Sequence, residues 1–155
     1  MNAPPPAPTT DSPLERKIDI LLAHYGQSHQ NPHNEAIHFV AIPLIVLSLC
    51  GLLFALHPWA AYAFIAASMV YYAQLSWVFF GLMALYSAAV LAILHSLGGH
   101  VLLASVSIFI VAWIAQFVGH KIEGKKPSFF EDIQYLWVGP LFVLSKLLGK
   151  LGIAW

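Results

Sequence analysis

Apolar positions along the chain recur with a helical period in a few long runs, separated by short polar or Pro/Gly-containing breaks. Leu14, Ile18, Leu21, Leu22 and Tyr25 share one face of a segment of about 14 residues, with Glu15, Arg16 and Asp19 elsewhere. This predicts an amphipathic helix lying on a membrane or packing on a bundle. Ser12, Pro13, Leu14 and Glu15 supply its capping box, with proline at the first helical position. Residues 1–13, polar and Pro-rich, read as a disordered leader. Residues 26–30 break the helix. Asn31 and Pro32 then serve as N-cap and N1 of a second helix running through Ala36 to Leu56, with Pro43 as a point of kinking.

His57, Pro58 and Trp59 form a turn. The apolar tract over residues 60–97 is about twice as long as one crossing of a ~30 Å hydrocarbon layer requires, so it divides near residues 74–77. Gly98 and Gly99 are a tight turn, and His100 to His120 is a fourth apolar helix. Residues 121–128 form a charged loop. A last helix over Glu131 to Leu148, interrupted at Gly139 and Pro140, suits an interfacial or re-entrant position better than a fifth span. The expected fold is all-α: a multi-pass transmembrane bundle of about four spans, flanked by an amphipathic helix and an interfacial one. Residues 14–155 form a single membrane-embedded domain.

Composition strengthens this picture. Hydrophobic residues make up 59% of the 155 and charged ones only 9%, against roughly 25% charged in soluble domains. Residues 36–120 contain no Asp, Glu, Lys or Arg. That suits spans, because a charge at mid-bilayer costs about 2.5–3.5 kcal/mol on insertion scales. A soluble enzyme and a disordered chain are excluded. A formal net charge of zero without a basic run excludes a nucleic-acid binder. Cys50 is the sole cysteine, so neither a disulfide framework nor a thiolate metal site is available. The first apolar run begins near Ile37, too late for a signal peptide.

Four crossings between Pro32 and Lys121 return the chain to its starting side. Arg16, Lys17, Lys121, Lys125 and Lys126 then share one face, which the positive-inside rule makes cytoplasmic. The expected location is an integral membrane one: the inner membrane in a bacterium, the endoplasmic reticulum in a eukaryote. The same count brings His29, His33 and His38 to the membrane face that carries His120.

These histidines are the candidate chemistry. His29 precedes the second helix and His38 lies inside it, with Asn34 and His38 as i,i+4 neighbours. Trp113, Gln116, His120 and Glu123 form a stripe at the end of the fourth helix, and a polar stripe on an apolar helix faces the bundle interior. Converging imidazoles and a carboxylate can hold a divalent metal through neutral nitrogens and leave positions open for substrate and oxygen. Simpler readings stand beside this one. Any of these histidines can be an interfacial or hydrogen-bonded residue, and Trp113 a packing residue. Glu35 complements a helix dipole. Lys121, Lys125 and Lys126 set topology and meet lipid headgroups, or draw in an anionic substrate head. His24 lies on an exposed side, and His57 belongs to the opposite membrane face. His95 and His100, beside the Gly98 turn, are placed on the site's own face, as outer residues of the site or as interface.

Two motifs carry a family resemblance. One is Tyr25, His29, Asn31, Pro32, Asn34, His38 and Pro43. The other is Trp113, Gln116, Phe117, Gly119, His120, Glu123 and Pro127. The chain over residues 18–152 resembles a family of small multi-pass membrane proteins that includes the yeast 2-hydroxy fatty acid dioxygenase of phytosphingosine breakdown. Asp132 and the stretch from Gly139 to Phe142 are similar to the family's C-terminal segment. The resemblance implies Fe(II)-dependent α-oxidation, in which a long-chain 2-hydroxy fatty acid and O2 give an acid one carbon shorter. It implies His29, His38 and His120 as metal ligands and Glu123 as a further catalytic residue or ligand. His33, Asn34, Gln116 and Lys121 would stand behind them or meet the substrate head. Gln30 replaces a second histidine found in relatives, and His33 replaces a lysine, so the role of His33 stays open. The alkyl tail would lie among the apolar helices and the lipid bilayer. Competing readings are a histidine-rich membrane desaturase or hydroxylase, for which no His-x-x-His-His is present, a haem-binding bundle, and a non-catalytic membrane protein.

Overall fold

In a computed structural model, which describes residues 16–124 and 135–155, the described chain is helical, with no strand among these residues. The elements are α1 (Lys17–Gly26), α2 (Pro32–Leu56), α3 (Pro58–Leu75), α4 (Trp77–Leu97), a single 3-10 turn (Gly98–His100), α5 (Val101–Glu123) and α6 (Val138–Lys150). The leader, the capping box at residues 12–15, Lys125, Lys126, Pro127 and Asp132 lie outside the described residues.

Local chemistry sets the boundaries. Asn31 caps α2 by accepting from the His33 backbone N–H at 2.9 Å, and Pro32 takes the first helical position. His57 both ends α2 and caps α3, its Nδ1 accepting from Trp59 N–H at 3.3 Å. The long apolar tract divides at Ser76, whose extended backbone separates α3 from α4. α5 ends at Gly124 with φ +74°, a left-handed cap that favours glycine. α2 continues through Pro43, whose carbonyl accepts from Tyr86 Oη at 2.6 Å.

Gly98, with φ +52°, reverses the chain between α4 and α5. A Cβ built on Gly51 would touch both Leu94 and Ser105. These two are too far apart along one straight helix to meet a single atom, at 1.5 Å rise per residue. α5 therefore runs antiparallel to α2, with Gly51 against Ser105 at one end and Gly119 against Asn34 and His38 at the other. Small residues at both ends let the two backbones approach closely. The α3–α4 hairpin packs on α2. α1 and α6 close the histidine end through Ile18, Leu22, Tyr25, Leu141 and Phe142.

Two helical stretches are long and apolar enough to cross a membrane: Pro32–Leu56, with mean hydropathy 2.7, and Trp77–Glu123, with 2.4, the latter doubled back at Gly98. α3 is not among them. Its 18 residues include Tyr62, Tyr71, Tyr72 and Gln74, which lower its hydropathy.

Two expectations need correction. Gly139 and Pro140 do not interrupt the last helix. They lie in the first turn of α6, where the proline's missing N–H leaves no bond unmade, and residues 135–137 ahead of them are turns. At 13 residues α6 is too short to span. His95 and His100 are not on the face of the other histidines. α4 runs away from that face, so His95 meets Phe54 and Tyr62 at the end where α2 turns into α3.

Candidate metal centre

His29, His38 and His120 are buried, and each offers a ring nitrogen within 4.8 Å of the others. Three separate elements deliver them. His29 comes from the segment between α1 and α2, His38 from the second turn of α2, and His120 from the last turn of α5. The rings meet edge to face, with centroids 4.3 Å apart for His29 and His38, 5.1 Å for His38 and His120, and 5.7 Å for His29 and His120.

Hydrogen bonding sets which nitrogen faces the centre. His38 Nδ1 lies 2.9 Å from the Asn34 carbonyl, and His29 Nδ1 lies 2.9 Å from the Tyr25 carbonyl. A carbonyl only accepts, so each Nδ1 carries the proton and Nε2 of the neutral ring keeps its lone pair. His95 makes the same bond to Leu91, at 2.7 Å, but its Nε2 is 3.1 Å from Tyr62 Oη. His38 Nε2 is buried without a hydrogen-bond partner. A buried acceptor left in that state costs about 1–3 kcal/mol. A metal ion is the chemistry that three converging imidazoles accept best. At about 2.1 Å per metal–nitrogen bond, the donors of one ion stand no more than ~4.2 Å apart. The triad would have to draw in by less than an ångström, within side-chain reach.

Glu123 holds the frame. Its carboxylate accepts from the backbone N–H groups of Gln30, at 2.8 Å, and Asn31, at 2.9 Å, and from Asn34 Nδ2, at 2.9 Å. The end of α5 is thereby tied to the segment carrying His29 and to the first turn of α2. Both carboxylate oxygens are engaged in this clamp. Asn34 Nδ2 also reaches the Ser28 carbonyl at 3.3 Å. Replacing Glu123 by Ala is expected to cost about 2 kcal/mol, discounted because the clamp is partly exposed. Amide exchange at Gln30 and Asn31 should then rise, with Glu123→Gln intermediate. If Glu123→Ala lost metal binding at the triad while those amides stayed protected, the carboxylate would be a ligand rather than a clamp.

The other expected residues separate cleanly. Gln116 and Asn34 are buried beside the triad, and Oε1 of the first and Oδ1 of the second have no hydrogen-bond partner. His33 and Lys121 are exposed. Glu35 pairs with Lys146 at 3.2 Å, a contact between α2 and α6. Sequence spacing alone did not single out Tyr25, Gly119 or Phe142 for a role. Tyr25 stacks on His29 with centroids 4.3 Å apart, and Phe142 lies 5.4 Å from the same ring. Gly119 leaves room for Asn34 and His38. The available signal was local: a tyrosine four residues before His29, and a glycine directly before His120.

Comparison with known proteins gives a consistent result. The profile of the Mpo1-like family, described as 2-hydroxy-palmitic acid dioxygenase Mpo1-like, matches residues 16–151. The chain is similar to 2-hydroxy-palmitic acid dioxygenase MPO1 of Saccharomyces cerevisiae, 27% identical over 142 residues, covering 84% of this chain and 79% of the yeast protein. No solved structure matches.

Proposed function

Because this chain belongs to the Mpo1-like family, we propose that it is an Fe(II)-dependent dioxygenase of long-chain 2-hydroxy fatty acids. With O2 as the sole oxidant the reaction balances as 2-hydroxy acid plus O2 giving the acid one carbon shorter, CO2 and water. The C1–C2 bond breaks, C2 becomes the new carboxyl carbon, and C1 leaves as CO2. The observation that carries the reading is the buried triad of His29, His38 and His120, in which His29 and His38 have Nδ1 tied to backbone carbonyls and Nε2 left with its lone pair.

His29, His38 and His120 would hold the iron, which supplies the redox chemistry that lets O2 react with a closed-shell acid. The protein's own groups do the rest. The Tyr25 and Asn34 carbonyls fix the orientation of two rings, and Glu123 keeps three elements in register. Tyr25 and Phe142 cover His29 and exclude water from that side.

A membrane setting fits a substrate whose tail already resides in lipid. Val40, Leu85, Leu103, Val111 and Ile114 are exposed on the outside of the bundle. In our reading the α3–α4 hairpin joins α2 and α5 in four crossings. Arg16, Lys17, Lys121, Lys146 and Lys150 at the histidine end make that face cytoplasmic.

The test is direct. Detergent-purified protein with Fe(II), O2 and 2-hydroxypalmitic acid should yield pentadecanoic acid, measured by mass spectrometry, with one O2 consumed per product. Unchanged substrate from protein carrying stoichiometric iron would defeat the reading.

A further inference from the structure

His38 Nε2, Asn34 Oδ1 and Gln116 Oε1 are buried acceptors without a hydrogen-bond partner among the described residues. Each calls for a donor or a cation. The proposed metal accounts for His38 Nε2. Asn34 Oδ1 lies so close to Gly119 that a Cβ there would collide with it, and its amide nitrogen is held by Glu123 and the Ser28 carbonyl. That side has no room for a ligand.

Gln116 is placed differently. It is only 3% exposed, yet it borders a small cavity that Tyr25, Ile42 and Trp113 also line. Gln116 stands one helical turn before His120, Ile42 one turn after His38, and Tyr25 stacks on His29. The cavity is therefore in the layer next to the triad. Its volume is about 20 Å³, room for one hydroxyl or one water and not for an alkyl chain. The acceptor selects what can go there. A carboxamide oxygen accepts and cannot donate. A carboxylate and O2 only accept as well, so neither satisfies it. The group of a 2-hydroxy acid that donates is the hydroxyl, carried on the carbon next to the carboxylate.

We propose that Gln116 accepts the hydrogen bond of the substrate's 2-hydroxyl and so selects 2-hydroxy acids over fatty acids that lack it. The identity of the substrate rests on the dioxygenase reading. An acid without the hydroxyl leaves Oε1 buried and unpaired, and a site built around such a bond rejects the analogue that cannot make it.

The experiment measures binding to the full, detergent-purified chain freed of metal by chelation, so that neither a metal–hydroxyl bond nor turnover contributes. 2-Hydroxypalmitic acid should bind about ten- to a hundredfold more tightly than palmitic acid. It should exceed 2-fluoropalmitic acid equally, because the fluorine takes the hydroxyl's place without donating. Gln116→Leu should bring the three affinities within about twofold of one another, with palmitic acid bound as in the wild type. Equal weakening of all three ligands would make Gln116 a packing residue and overturn the proposal. A preference that survives Gln116→Leu overturns it too, and assigns the hydroxyl to the imidazole nitrogens of the triad. So does a wild type that binds the hydroxy and fluoro acids alike. Gln116→Met, unbranched like glutamine, replaces the leucine variant should that one not fold. Loss of the preference in Gln116→Leu, where the wild type loaded with Fe(II) leaves 2-hydroxypalmitic acid unchanged under O2, supports the role of Gln116 and sinks the dioxygenase reading. Turnover by the wild type, with the preference intact in the variant, does the reverse.

Discussion

Replacing His38 by alanine is expected to remove measurable dioxygenase activity, a loss of about a thousandfold or more, without unfolding the protein. His38 is fully buried, and its Nδ1 is held by the Asn34 carbonyl, which fixes the ring within the triad. In an ordinary core such a truncation costs a few kcal/mol through the cavity it leaves. Here part of that cost is offset, because the variant no longer buries an unpartnered Nε2. The diagnostic is therefore a change in metal response. Iron at about a hundred times its dissociation constant should stabilise the wild type by ~2.7 kcal/mol and His38→Ala hardly at all. Thermal melts with and without Fe(II), beside iron analysis, read this out. A variant that keeps both iron and activity would remove His38 from the ligand set.

Gly119→Ala is expected to cause the second largest loss, on the order of a hundredfold in activity. The added Cβ would collide with Asn34 Oδ1 and lie 3.2 Å from Cε1 and 3.3 Å from Nδ1 of His38. Neither neighbour can give way easily. The Asn34 amide is held by Glu123 and the Ser28 carbonyl, and the His38 ring by the Asn34 carbonyl. The strain, about 1–3 kcal/mol, falls directly on the ring of a proposed ligand, where a displacement of 1 Å costs about a hundredfold. Gly51→Ala is the control. At the other end of the same helix pair it collides with Ser105 Oγ, so it should cost stability while iron affinity persists. Equal loss of iron binding in both variants, tracking their melting temperatures, would show that Gly119 matters only for packing.

Much of this arrangement is legible before folding is considered. Asn31 with Pro32 marks the start of α2, the polar break at residues 74–77 marks the division of α3 from α4, and Gly98 marks a reversal. These are local effects of caps, missing donors and left-handed backbone, so neighbouring residues report them. An even number of helices between Pro32 and Lys121 brings His29 and His38 to the end of the bundle that carries His120. The misplacement of His95 and His100 came from not following that parity through the hairpin: α4 carries them away from the other three. The Gly139–Pro140 pair misled because proline ends a helix in mid-course but fits its first turn, and spacing alone does not distinguish the two.

The sequence by itself determined the helices, their ends, the apolar character of the bundle and the residue types able to bind a metal, because each depends on composition and near neighbours. Only the tertiary structure decided which nitrogen of His29 and His38 faces the centre, that Glu123 clamps the frame, and that Gly119 must be small. The clamp and the close approach at Gly119 depend on contacts between residues about 85 to 93 positions apart. Their geometry is set by how closely α2 and α5 approach, a distance that no local pattern encodes.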